Sequence, residues 1–170
     1  MILSLDPGSS RIGWSITSLN GEVQEYGFLS PISDAPKSMA FNQKMNLLMR
    51  RLIPEFNPLL DRVAYVAWEI VPAFGQMAQR ELVQATASTL KVLTLQRGYA
   101  YQQFTPQAWH KKFVGKAKCT KDEVKSCVIE NNILKSGEEI ASDLPYDVYD
   151  AIAIGLVASQ YKEWITNESI

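Results

Sequence analysis

Four acidic residues stand where metal-assisted phosphoryl chemistry would need them. Asp6 follows the apolar run that begins at Ile2, and Glu69 follows the apolar run Val63 to Trp68. If both runs are strands lying as parallel neighbours, the two carboxylates emerge at one edge of the sheet, where open α/β sheets hold their ligands. Asp147 and Asp150 are three residues apart, which puts them on one face of a helix and in its first turn, where the dipole favours negative charge. Each has an ordinary structural use: a turn start before Pro7-Gly8, a strand-end acid reaching water, a favourable helix start. Their coincidence points to chemistry. Four crowded carboxylates repel one another and require cations. Hard ions such as Mg²⁺ or Mn²⁺ prefer oxygen ligands, and a lone His110 with Cys119 and Cys127 makes no zinc set. Two such ions about 3.5–4 Å apart can activate a water and stabilise the leaving oxygen of an in-line phosphodiester displacement.

The elements that would position these acids are legible from periodicity. Residues 1–6 and 11–19 read as strands, and Asn20-Gly21 is a hairpin signal because such turns need positive φ. Glu22 to Ser30 completes an antiparallel meander. From Lys37, Met39, Met45, Leu48, Leu52 and Phe56 recur at helical spacing until Pro58, which is expected to close the helix. Residues 63–68 read as a strand buried on both faces, and 77–95 as a helix stopped by Gly98. Tyr99 to Phe104 is a fifth strand, Thr105-Pro106 starts a short helix, and further helices are expected near 121–134 and 146–164, the last entered through Ser142 to Pro145. Alternation of strands and helices from the third strand onward implies parallel pairing with helices covering the sheet.

The chain has 170 residues, 46% hydrophobic and 21% charged, which suits one compact globular domain over 1–170. There is no apolar run of membrane-spanning length and no signal-peptide pattern at the start, so a cytoplasmic location with free thiols is expected. Net charge is −1, so a global positive field cannot recruit a polyanion. Basic residues are instead local: Lys111, Lys112, Lys116, Lys118, Lys121 and Lys125 face only Asp122 and Glu123 in the same interval.

The ordered set of motifs resembles the RuvC-type Holliday-junction resolvases. Leu5-Asp6-Pro7-Gly8-Ser9-Ser10-Arg11 with Gly13 is similar to the family's first-strand motif. Trp68-Glu69 follows, then Phe104-Thr105-Pro106 with Gly115 and Lys121, and Asp147-Val148-Tyr149-Asp150-Ala151-Ile152-Ala153-Ile154-Gly155 ends the series. The resemblance implies a ribonuclease-H-like fold: a mixed five-stranded sheet, three antiparallel strands plus two parallel ones, flanked by helices. It implies that Asp6, Glu69, Asp147 and Asp150 are catalytic metal ligands holding two Mg²⁺ or Mn²⁺ ions. It also implies a homodimer, built on the helix at 77–95, that cuts opposing strands of a four-way DNA junction. Phe74 is the candidate for the family's junction-centre aromatic, although Pro72 occupies the nearest spacing. The family's lysine ahead of Gly115 falls on His110, with Lys111 and Lys112 just after it. With the resemblance, phosphate contacts are expected from Lys111, Lys112, Lys116, Lys118 and Lys121.

Other readings stay open. A nuclease of the same fold acting on flaps, other branched DNA or RNA-DNA hybrids would carry the same acids. A non-catalytic junction-binding protein is disfavoured by the retention of four mutually repelling carboxylates. The sugar-kinase and actin-like ATPases also open with an Asp-x-Gly turn, but they need two lobes and a second phosphate loop.

Overall fold

Residues 1–8, 11–70, 77–130 and 139–161 are described in a computed structural model of the chain. The meander forms as expected: β1 (Ile2–Pro7), β2 (Ile12–Thr17) and β3 (Val23–Leu29) pair antiparallel, with Gly21 at φ +83° in the turn between β2 and β3. β4 (Tyr65–Glu69) lies parallel to β1, and β5 (Ala100–Phe104) parallel to β4, giving the order β3-β2-β1-β4-β5. The strand that begins the chain is therefore central, and Glu69 ends the neighbouring strand at the same edge as Asp6.

The two faces of the sheet carry separate cores. Leu3, Leu5, Ile12, Ile16, Val66 and Trp68 face α1 (Phe41–Leu60) and α2 (Met77–Gln96). Ile2, Val23, Tyr65, Ala67 and Phe104 face α3 (Pro106–Phe113), α4 (Lys121–Glu130) and α5 (Tyr146–Ser159). This alternation is the period-2 geometry of strands. Among the described residues no helix is long and apolar enough to cross a membrane.

Pro58 does not close the first long helix. α1 begins at Phe41, after a turn in which Met39 N–H donates to Pro36 O, and runs through both Pro54 and Pro58 to Leu60. Each proline forfeits one helical hydrogen bond, but both stand on the exposed side, where water can take the freed carbonyls. On the opposite side Phe56, Leu59 and Leu60 are buried against the sheet, and that burial carries the helix past the prolines. The last helix differs at both ends: Pro145 is the N-cap of α5 with no side chain capping it, and the helix stops at Ser159, short of the expected 164.

α5 is apolar all round, with Val148 to Ala158 buried, as befits a helix sunk in a core. It lies close on β1 and β2 because the contact residues are small. A β-carbon on Gly13 would stand 1.9 Å from the carbonyl oxygen of Asp147, and one on Gly155 would stand 2.6 Å from Ser4 Oγ. The hydroxyls beneath are satisfied, with Ser4 Oγ 2.6 Å from Ser15 Oγ and Ser15 donating to Ala151 O at 3.3 Å. Gly155→Ala is expected to push α5 off the sheet and cost about 1–3 kcal/mol of unfolding free energy. Urea denaturation checks this, and an unchanged midpoint would show that the helix can shift without strain.

Candidate active site

One row of paired residues crosses the sheet at the carboxyl ends of β1 and β4. Phe28 pairs with Gly13, Gly13 with Asp6, and Glu69 with Phe104, while the pairing of Leu5 with Trp68 brings Asp6 beside Glu69. Residues directly opposite each other share a face, and here that face carries α5. The seating of Asp147 against Gly13 then brings the N-terminal end of α5 over Asp6; Asp147 lies in its first turn, but Asp150, expected there too, lies one turn further on, because the helix begins only at Tyr146. The four acids thus lie near one another at this end of the sheet, with Asp6 within electrostatic reach of Asp150, Glu69 and Asp147.

Electrostatics couple the members of the group. Burial raises the Asp6 carboxyl well above its ordinary pKa, and repulsion from Asp150, Glu69 and Asp147 adds to the rise. Glu69 is raised by burial too, opposed by a hydrogen bond from Trp109. Asp150 is nearly sealed from water and raised by burial, against the pull of Lys121. A cluster whose members resist ionisation in this way is one that favours added positive charge.

The protein supplies one such charge. The Lys121 ammonium donates to Asp150 Oδ2 and stands 4.0 Å from Asp6 Oδ2. Burial opposes the charge on Lys121, but Asp150 and Asp6 outweigh it and raise its pKa. Its position follows from local sequence. Thr120 and Glu123 form a reciprocal capping box at the start of α4, with Glu123 Oε2 accepting from Thr120 N–H at 2.8 Å and Thr120 Oγ1 accepting from Glu123 N–H at 3.3 Å. That box fixes the turn that carries Lys121.

A second support comes from α3. Thr105 caps the helix by accepting from Ala108 N–H, and Pro106 occupies its first turn. One turn on, buried Trp109 donates its indole N–H to Glu69 Oε2 at 2.7 Å. Glu69, Trp109, His110, Cys119, Lys121 and Asp150 line a cleft of about 230 Å³. His110 rests edge-on to Trp109, and burial lowers its pKa.

A hard divalent cation fits the chemistry of these donors: four carboxylates, all oxygen, in a cluster where burial and mutual repulsion make Asp6, Glu69 and Asp150 reluctant to stand charged alone. As placed, no three His, Cys, Asp or Glu side chains among the described residues converge on one point as ion ligands would. The Lys121 ammonium takes the space between Asp150 and Asp6 instead.

The basic residues divide. Lys121 points into the acids and Lys116 pairs with Glu123. Lys112 lies 3.8 Å from the centre of the Tyr161 ring. Lys111 and Lys118 are exposed and make no ion pair among the described residues. Phe74, with Pro72, falls outside the described residues. Sequence reasoning missed Trp109: a buried aromatic after Thr105-Pro106 signals a core-facing helix position, and nothing local ties residue 109 to residue 69. It also read Lys121 only as a phosphate contact. Trp109→Phe keeps an aromatic ring but removes the donor, and should cost about 1–3 kcal/mol of stability through the unpaired Glu69. Thermal unfolding in EDTA measures this, and a Tm equal to wild type would remove the bond from the site's support.

A family model described as crossover junction endodeoxyribonuclease RuvC matches residues 2–158. A protein of that name from a Nitratiruptor species is 27% identical over 161 residues, covering 94% of this chain and 95% of its own length. Another from Orientia tsutsugamushi (strain Ikeda) is 25% identical over 163 residues, 94% of each chain. In three dimensions the chain is similar to T. thermophilus RuvC in complex with Holliday junction substrate, with a TM-score of 0.69 at 16% identity over 97% of this chain and 95% of that one. The mixed sheet is thus of the ribonuclease-H-like kind, its central edge carries the acids, and the match runs nearly end to end: this chain belongs to the RuvC family of crossover junction endodeoxyribonucleases.

Proposed function

We propose that this chain resolves four-way DNA junctions by metal-dependent phosphodiester hydrolysis, with Asp6, Glu69, Asp147 and Asp150 as the metal-holding residues of a single domain. The observation that carries the reading is the electrostatic clustering of these four acids beside one sheet edge in a chain of this family. Nucleases of the family are metal-dependent in general, and the all-oxygen donor set supports Mg²⁺ or Mn²⁺, two per site. Bound there, such ions would supply a nucleophilic water and charge stabilisation at the leaving oxygen.

The protein's own part is positioning. β1 and β4 hold Asp6 and Glu69 side by side, the first two turns of α5 bring Asp147 and Asp150 over them, and Trp109 fixes one oxygen of Glu69. The Lys121 ammonium balances the acids and lines the cleft, within reach of an arriving phosphate if it leaves Asp150. Lys111 and Lys118, exposed on either side of the turn at Gly115, are the phosphate contacts best placed to act without breaking an internal pair.

Paired cuts on opposing strands require two sites, which supports a homodimer. In keeping with that, α2 leaves Val92 and Leu95, three residues apart on one helix face, 52% and 53% exposed. Cys119 is a free thiol, which supports a cytoplasmic site of action.

Strand scission of a labelled four-way junction is the test, run beside linear duplex, flap and RNA-DNA hybrid with Mg²⁺, Mn²⁺ or EDTA. Symmetric paired nicks confined to the junction, lost in EDTA and lost in Asp6→Asn or Glu69→Gln, are expected. Equal cutting of flaps or hybrids would refute junction selectivity, and wild-type rates in either variant would remove that acid from the mechanism. Binding in EDTA should weaken in Lys111→Ala and Lys118→Ala, each lowering the slope of log K against log salt by ~0.9 if the contact is to duplex phosphate. A slope that does not move would take that lysine out of the interface.

A further inference from the structure

We propose that Arg11 and Phe28 form a nucleotide-stacking site that holds the DNA strand on the side of the acids opposite the lysine segment. The inference rests on the junction-nuclease reading above and adds a contact that this reading does not contain.

The argument begins with the row across the sheet. Phe28 pairs with Gly13 and Gly13 with Asp6, so the three residues share the α5 face. Two strand spacings of about 4.7–4.9 Å put Phe28 roughly 10 Å from Asp6. At about 3.4 Å of rise per nucleotide, that is a reach of about three nucleotides along one strand. The alternation that sends Tyr26 toward the α5 core sends Phe28 the same way, but at the end of the edge strand no described helix covers it. The ring is 47% exposed.

A cation on that ring is the second observation. The Arg11 guanidinium lies 5.2 Å from the centre of the Phe28 ring, and Arg11 is itself exposed. Arg11 makes no ion pair with the acids among the described residues, so its charge is available for an anion. A guanidinium on an aromatic face is a composite surface: the ring and the guanidinium plane accept a base or deoxyribose by stacking, and the guanidinium donates to a phosphate. An exposed phenylalanine alone would be unremarkable. This one stands beside a cation, in the same row as Asp6, and across it from Trp109, His110 and the exposed Lys111. Together the two flanks define a path for one strand over the acids, phosphates held at both ends. DNA, carrying phosphates beside bases and deoxyribose, suits this pair better than an apolar protein surface would.

Two kinds of variant separate stacking from mere cover. Phe28→Leu keeps apolar bulk and removes the ring; Phe28→Tyr keeps the ring. In junction cleavage with Mg²⁺, Phe28→Leu is expected to raise KM about tenfold or more while kcat falls less, and Phe28→Tyr to restore KM to near the wild-type value. Arg11→Gln should raise KM and lower the salt slope of junction binding in EDTA by ~0.9. Junctions bearing 5-iododeoxyuridine at successive positions beside the cut bond should cross-link Phe28 on irradiation at a position within about three nucleotides of that bond. Phe28→Leu with wild-type KM, an unmoved slope in Arg11→Gln, or cross-links that avoid Phe28 would each overturn the proposal. So would a protein dimer lost in Phe28→Leu with DNA affinity intact, since the ring would then serve a second copy. Failure of the wild-type chain to cut any junction would instead sink the nuclease reading beneath it.

Discussion

The close approach of α5 to β1 and β2 is the constraint on which the site depends. At Gly13 the helix's first turn occupies the space that a side chain would fill, and at Gly155 the helix lets two serine hydroxyls come within hydrogen-bond reach of each other beneath it. A helix packed on a sheet through larger residues would stand farther off, lifting Asp147 and Asp150 away from Asp6. The four acids are thus brought together by small residues elsewhere, and the energy that holds them there comes from the burial of Val148 to Ala158. A core helix with nearly every position buried can hold mutually repelling groups at one end.

That repulsion explains the form of the surrounding polar contacts. Asp150 is almost fully buried, a condition that costs several kcal/mol unless a partner is present. Lys121 is that partner, and it is itself about half exposed, so its departure would leave the carboxylate unpaired while costing the lysine little in solvation. Trp109 does the analogous work for Glu69 with a neutral donor. One carboxylate is held by a charge that could be exchanged for another cation, the other by a fixed dipole. This division suits a site that must be ordered before a cation arrives and still admit one.

Much of this was legible in the sequence, for identifiable reasons. Apolar runs, alternation and turn chemistry together located all five strands: with a core on each face of the sheet, β1 and β4 read as continuous apolar runs, while the wetter outer strands and the Asn20-Gly21 turn gave the rest. The acids were legible because strand ends and helix starts are themselves readable, and topology converts those positions into proximity. Pro58 misled because local propensity cannot register the burial of Phe56, Leu59 and Leu60 on the other side of the same turns. Trp109 and the inward turn of Lys121 were invisible for a related reason: each depends on which side chain lies across a gap of tens of residues. The Thr120 to Glu123 capping box, by contrast, was readable as a Thr-x-x-Glu pattern and passed over among the lysines.

The capping box also links the two halves of the basic segment to different tasks. Glu123, whose carboxylate accepts from Thr120 N–H, also pairs with Lys116. That single residue therefore anchors the loop after Gly115 to the start of α4 and aims Lys121 inward. A lysine-rich stretch that looks uniform in sequence is split by one glutamate into lysines that neutralise protein carboxylates and lysines that face solvent. Counting charge along the chain would assign all of them to DNA. Under the proposed function Lys111 and Lys118 are the first candidates for phosphate, because the energy of a phosphate contact is reduced wherever an internal pair must first be broken. The net charge of −1 is then no obstacle to a polyanionic partner: what matters is how few of the cations near the cleft are already engaged by acids of the same chain.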